Sequence, residues 1–206
     1  LIQEFIPVAG MRHLSLPDGS QVQLNSKSTL LYPKQFTGKE RCVYLVGEAN
    51  FKVKPDKKHP FIVKSDDFQV TALGTEFNVS AYPENQEIST ALLSGSVLVE
   101  WGNLTQRTVL QPDEQLTYDK ENRQFRVVHP DMADVTAWQR GELVFNEMTV
   151  EDIIRVLERK YNYTFVYSLN QLKKDRLSFR FKDKAPLAEV MDIIVDVAGN
   201  LKFKIE

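Results

Sequence analysis

The chain has 206 residues, enough for one large or two small domains that each bury a core of their own. Its 26 Lys and Arg stand against 28 Asp and Glu, a formal charge of −2 with both signs spread along the sequence, which gives no electrostatic reason to expect nucleic acid or an anionic membrane as partner. Cys42 is the single cysteine, so an intrachain disulfide and a cysteine-based metal site are both excluded.

A lone thiol fits cytosol or periplasm better than a disulfide-stapled secreted scaffold. Apolar runs such as "CVYLV" fall far short of the roughly 20 residues a spanning helix needs, and the start lacks a basic, apolar leader. The chain opens on Leu1 without a methionine, so it is expected to be part of a longer protein with any membrane helix upstream.

From Arg12 to about Val128 the sequence reads as short alternating strands broken by turns. "LPDGSQVQLN" is a Pro-Asp-Gly turn feeding a strand with Val22 and Leu24 on one face, and "CVYLVGEANFKV" places Ala49, Phe51 and Val53 in step after Gly47. "FIVK", "FQVTAL", "TEFNVSAY", "ISTALL", "SVLVEW", "LQPDEQLTY" and "FRVV" follow. No stretch keeps helical spacing over three turns, so residues 1–137 are expected to form an all-β domain, a β-sandwich or a β-solenoid-like stack.

Within "VTALGTEFNVSAY" the alternation changes parity: Phe68, Val70 and Ala72 are apolar on even positions, Phe77, Val79 and Ala81 on odd ones. One face cannot stay buried through such a change unless the chain bulges or turns a corner near Leu73-Gly74-Thr75.

After "HPDMADVTAW" the grammar becomes helical. "MTVEDIIRVLERKY" puts Val150, Ile153, Ile154, Leu157 and Tyr161 on one face, with Thr149 as N-cap, Glu151 and Asp152 in the first turn and Arg159 and Lys160 in the last. "APLAEVMDIIVDVAGN" repeats the pattern, with Pro186 at the first helical position, Leu187, Val190, Met191, Ile194 and Ala198 inward, and Gly199 as the stop. Strands are expected on both sides of each helix, "ELVF" and "YTFVY", then "RLSFRF" and "LKFKI". Residues 138–206 therefore read as a small α+β domain of order βαβ-βαβ, an order that ferredoxin-like folds share.

Candidate chemistry is sparse. His13, His59 and His129 do not stand at metal or base spacing from one another or from an acid, and no nucleophile elbow, zincin, P-loop or dinucleotide motif occurs. Asp66-Asp67 and Glu151-Asp152 could in principle supply an acid and a base, as in glycosidases, but read better as a solvated turn and a helix-start charge. Trp101 and Trp138 raise a sugar-stacking alternative; Trp101 closes the alternating run Val97, Val99, Trp101 and reads as core, whereas Trp138, at the domain boundary, is a candidate wedge or partner-docking residue. No catalytic, cofactor or metal site is expected. The N-x-S/T triplets at Asn78, Asn103 and Asn162 matter only in a glycosylating cell.

Five separated blocks, "LPDGSQVQLNSKSTLLYP", "RCVYLVGEANFKV", "PFIVKSDDFQVTALGTEFNVSAY", "TALLSGSVLVE" and "LQPDEQ", closely resemble in order the periplasmic domain of FecR-type anti-sigma factors. From Trp138 onward the chain looks like the C-terminal domain that accompanies it, itself similar to the short secretin and TonB N-terminal signalling module. The resemblance implies a periplasmic receiver. It would contact the N-terminal signalling domain of a TonB-dependent outer-membrane transporter and pass the result, through a membrane helix and a cytoplasmic segment absent here, to an extracytoplasmic-function sigma factor. Some relatives of this kind break their own chain at a Gly-Thr step. That gives Gly74 and Thr75 a functional reading, Thr75 Oγ attacking the Gly74 carbonyl, beside the structural reading of a glycine at a corner. The competing classes are a carbohydrate-binding or adhesin β-domain with an accessory module, and a hydrolase with facing carboxylates.

Overall fold

The structure, a computed structural model, describes residues 1–66, 68–102, 104–166, 176–181 and 185–198. The chain divides into two compact units, residues 1–136 and 137–206.

The first unit is built from β1 (Ile2–Phe5), β2 (Arg12–Ser15), β3 (Gln21–Leu24), β4 (Thr29–Tyr32), β5 (Arg41–Lys52), β6 (Phe61–Ser65), β7 (Phe68–Ala72) and β8 (Glu76–Ala81). It continues through β9 (Glu87–Ser94), β10 (Val97–Trp101), β11 (Gln106–Leu110), β12 (Gln115–Asp119), β13 (Gln124–Val128) and the short helix α1 (Met132–Val135). The all-β expectation holds. The strands form one 13-stranded sheet that curls over β5, the long strand common to both halves. Residues 41–46 of β5 pair with β4 and β6, in the half ordered β1-β4-β5-β6-β7-β10-β11. Residues 47–52 pair with β3 and β8, in the half ordered β2-β3-β5-β8-β9-β12-β13.

The bend in β5 falls at Gly47, whose φ is +106°. A Cβ there would lie 2.7 Å from the Cα of Ser28, closer than any side chain tolerates. Ser28, fully buried, holds the bend: its Oγ accepts from the Glu48 amide at 2.8 Å. Alternation along β5 then lets Val43 and Leu45 face the same core as Ala49 and Phe51. Both halves contribute to that single core, with Phe51 stacked on Phe77 at 5.4 Å and tilted against Phe61 at 6.0 Å.

Each side chain of the parity fault is buried: Phe68, Val70 and Ala72 in β7, Phe77, Val79 and Ala81 in β8. The two strands belong to different halves, so residues 73–75 are the corner at which the chain crosses from one half to the other. The change of parity re-aims the apolar set at the same core from the opposite side.

The β5–β6 pair is parallel, which obliges residues 53–60 to return from one end of β5 to the other. Arg41 anchors this return. Its guanidinium, in a residue only 3% exposed, donates to the Lys54 carbonyl at 2.9 Å, the His59 carbonyl at 2.8 Å and Asp18 Oδ2 at 2.7 Å, and stands 5.5 Å from the Phe61 ring centre.

In the second unit a 3-10 turn (Ala137–Arg140) precedes β14 (Leu143–Thr149), α2 (Val150–Tyr161), β15 (Arg176–Phe181) and α3 (Leu187–Ala198). β14 and β15 pair antiparallel, with a bulge between Phe145 and Met148. Ile153, Ile154 and Leu157 of α2 and Val190, Met191 and Ile194 of α3 pack with Phe145 and Phe181 into a separate core. The Thr149 hydroxyl accepts from the Asp152 amide at 3.2 Å, the N-cap expected from the sequence.

The small α+β character holds, but residues 163–166 carry no strand. Asn162 ends α2 in the left-handed region at φ +58°, and the Phe165 amide donates to Glu158 Oε1 at 3.0 Å, which turns the backbone toward the helix and away from a ladder. Tyr167, Gly199 and the strand expected over residues 201–205 lie outside the described residues.

Candidate functional site

Among the positions the sequence singles out, Gly74 and Thr75 come together with a surface feature. The corner they occupy is fastened to the return segment by two backbone bonds, from the Val53 amide to the Thr75 carbonyl at 2.9 Å and from the Asp56 amide to the Leu73 carbonyl at 3.0 Å. Gly74 has φ +146°, and a Cβ there would stand 2.7 Å from the Pro55 Cα. Only glycine fits, because the Pro55 backbone is held by the same two bonds that fasten the corner.

Thr75 is 6% exposed, and its Oγ1 has no hydrogen-bond partner. Buried hydroxyls are normally satisfied, so this one is an exception at a point where the backbone is already constrained. A depression of about 330 Å³ opens beside it, lined by residues 55–57, residues 73–75, Gly95 and Ser96.

The titratable groups near the corner are arranged internally. Asp56 Oδ1 accepts from the Lys58 amide at 2.9 Å and the His59 amide at 3.2 Å, and Oδ2 bonds His59 Nδ1 at 2.7 Å. The His59 side chain, then the Lys58 amide, hold the Asp56 carboxyl below its ordinary range. Further back, burial raises the Asp18 pKa, but the hydrogen bonds from Ser20 and the ion pair with Arg41 outweigh it and leave Asp18 below the usual carboxylate value. This cluster is a clamp: Asp18, Ser20 and Arg41 tie the Pro-Asp-Gly turn to the return segment that backs the corner.

The remaining candidates scatter. His13 is exposed on β2, and His129 is exposed with Nε2 3.6 Å from Glu114 Oε1. Among the described residues no three His, Cys, Asp or Glu are gathered as metal ligands. Glu151 pairs with Arg155 one helical turn on, as a helix-start carboxylate does. Asp66 sits in a left-handed turn at φ +51°, and Asp67 lies outside the described residues. Trp101 is 2% exposed against Phe125 at 4.8 Å, a core residue that offers no platform to a sugar. Trp138 is half-buried in the 3-10 turn of the second unit.

Sequence reasoning missed Arg41 and Asp18 because their partnership spans 23 residues and neither stands in a motif. The only signal was an arginine opening an apolar strand, "RCVYLV", where a buried cation needs an acid.

The family described as FecR protein matches residues 6–98, and the family described as FecR, C-terminal matches residues 142–206. Two crystal structures of a candidate anti-sigma factor from Parabacteroides distasonis ATCC 8503, at 1.65 Å and 2.50 Å, each superimpose with a TM-score of 0.93 at 32% identity. Both matches cover 100% of this chain, and 96% and 95% of those chains. No curated protein sequence matches the chain. With both of its units matched and a relative of the same fold along its whole length, the chain belongs to the FecR family of anti-sigma factors.

Proposed function

We propose that this chain is the periplasmic sensor region of a transmembrane anti-sigma factor. It receives a signal from the N-terminal signalling domain of a TonB-dependent outer-membrane transporter. It passes that signal to an extracytoplasmic-function sigma factor, through a membrane helix and a cytoplasmic segment upstream. The observation that carries the reading is the end-to-end likeness, in both units, to an anti-sigma factor.

Its surfaces suit protein recognition. β1, β2, β11 and β13 each pair on one side only among the described residues, so each offers a ladder edge to which a partner strand can add. Trp138 is the docking candidate in the second unit, where an aromatic with a polar edge serves an interface well. No catalytic role is assigned. The test is a pull-down of the chain against the signalling domains of the host's TonB-dependent transporters: one selective partner is expected, weakened by Trp138→Ala, and uniform failure to bind would contradict the reading.

A second reading is favoured by the unpartnered Thr75 hydroxyl. Thr75 Oγ adds to the Gly74 carbonyl carbon, the peptide C–N bond breaks, and the hydroxyl proton ends on the freed Thr75 amine, which leaves an ester. Water then hydrolyses the ester to a Gly74 carboxylate and a chain that starts at Thr75. Intact mass after long incubation tests it: two fragments from the wild type and a whole Thr75→Ala chain are expected, and a wild type that stays whole would end the idea.

A further inference from the structure

The two halves of the first unit's sheet end together on both sides of β5, and the two ends are finished differently. On one side the last strands are β1 and β2. Glu4, opposite Leu30, and Arg12, opposite Leu24, both lie on the core side of their strands, and Arg12 donates to Glu4 Oε2 at 2.5 Å. Charge on the core side of an edge strand guards it against unwanted pairing, and here the two charges answer each other across the rim. On the other side the last strands are β11 and β13. β11 is guarded by polar residues, Gln106 and Thr108 lying on its core side opposite Trp101 and Val99.

β13 has no such guard. Its core side carries Phe125 and Val127, opposite the core residues Tyr118 and Leu116, yet these two are 50% and 38% exposed. Phe125 rests on Trp101 at 4.8 Å with half of its own surface in solvent. The one charge of the strand, Arg126, is on the opposite face and leans back across β12 to Glu87 of β9, at 3.0 and 3.2 Å, which draws it away from the open edge. A row of unpaired amides and carbonyls is matched by another extended backbone, and alternate side chains then choose its sequence. A second copy of β13 fits badly. Antiparallel pairing that sets Phe125 against Val127 also sets Arg126 against itself; sliding the copy by two residues relieves this only by setting Val127 against Arg123, or Phe125 against His129. We propose that β13 is a strand-acceptor edge for an extended segment of another protein, with apolar side chains two residues apart against Phe125 and Val127 and a polar one between them beside Arg126. The assignment of that segment to a transporter's signalling domain rests on the sensor reading; the acceptor edge does not.

The test is amide hydrogen exchange by NMR on the whole chain, with a peptide of alternating threonine and valine flanked by lysines, beside a peptide of the same composition with its valines in one block. The alternating peptide is expected to protect every second amide within residues 124–128, the mark of ladder pairing on a free edge. Val127→Lys changes a part-exposed edge residue, so it is expected to keep the wild-type thermal midpoint and to weaken binding about tenfold or more. Val127→Thr, of the same shape, is expected to weaken it severalfold, and Phe5→Lys on the β1 edge to leave it unchanged. No protection at millimolar peptide, equal binding of the block peptide, protection on β1, β2 or β11 in place of β13, or binding unchanged by Val127→Lys would overturn the proposal. A transporter signalling domain that binds the chain while residues 124–128 exchange as in the free chain would refute the assignment of the segment and leave the sensor reading intact. A peptide that adds to β13 while no signalling domain binds would refute the sensor reading and leave the edge.

Discussion

Replacing Arg41 with methionine tests whether the corner depends on the clamp behind it. The side chain lost is nearly fully buried and makes three bonds of 2.9 Å or less, to Asp18 Oδ2 and to the Lys54 and His59 carbonyls. Methionine fills much of the space beside Phe61 but leaves two carbonyls and a carboxylate without their donor. Removing one partner of a buried ion pair costs about 3 to 5 kcal/mol. Asp18 keeps its two bonds from Ser20 and is 12% exposed at the side chain, so the lower end applies, about 3 kcal/mol. For a chain of this size each kcal/mol moves the midpoint by about 2 to 4 °C, which gives a fall of about 6 to 12 °C. Urea and thermal unfolding followed by Trp101 fluorescence in a Trp138→Phe background report on the first unit alone. A loss below about 1 kcal/mol would refute the clamp, since that is the range of an exposed pair. Adding Asp18→Asn to Arg41→Met removes the stranded charge and is expected to restore part of the loss. The Asp18 carboxyl is depressed in the folded state, so its contribution is complete above about pH 4, the unfolded value, and is lost as pH falls through the folded value. Asp18→Asn is therefore expected to flatten the acid limb of the stability profile and to lower stability at neutral pH.

Gly74→Ala brings a Cβ to 2.7 Å from the Pro55 Cα at a positive φ, and is expected to destabilise the first unit by about 2 kcal/mol or more in urea, with the second unit unchanged. Thr149→Ala removes the cap on the Asp152 amide and is expected to cost about 1 kcal/mol in the second unit, with Thr149→Ser close to wild type. Burial pushes the Cys42 thiol up despite the nearby Lys64, so alkylation by iodoacetamide at neutral pH is expected to run slower than for a free thiol and to accelerate in urea.

Much of the architecture was legible where one local rule decides it. The parity change from Phe68-Val70-Ala72 to Phe77-Val79-Ala81 announced a corner, because a strand with one buried face cannot change phase without one. Thr149, Glu151 and Asp152 at the start of α2 and the charges of its last turn announced that helix. What stayed hidden depends on distant partners. Nothing local says that β5 serves both halves of the sheet: Gly47 reads as a turn until Ser28 is seen packed against it. β1 escaped notice because "IQEF" is four residues long and gains its identity only by pairing with β4. The strand expected over "YTFVY" rested on aromatic and β-branched content, a preference that the left-handed Asn162 and the Glu158 bond to Phe165 override at residues 163–166. The corner was found by its sequence, but its recess required the return segment to be placed beside it.

Under the proposed function, this region conveys transporter occupancy to a sigma factor. The most direct measurement is a sigma-dependent transcriptional reporter in cells whose full-length protein carries or lacks residues 142–206, read with and without the transporter's nutrient. Loss of the nutrient response with uptake intact is expected on deletion; a response that persists unchanged would contradict the claim.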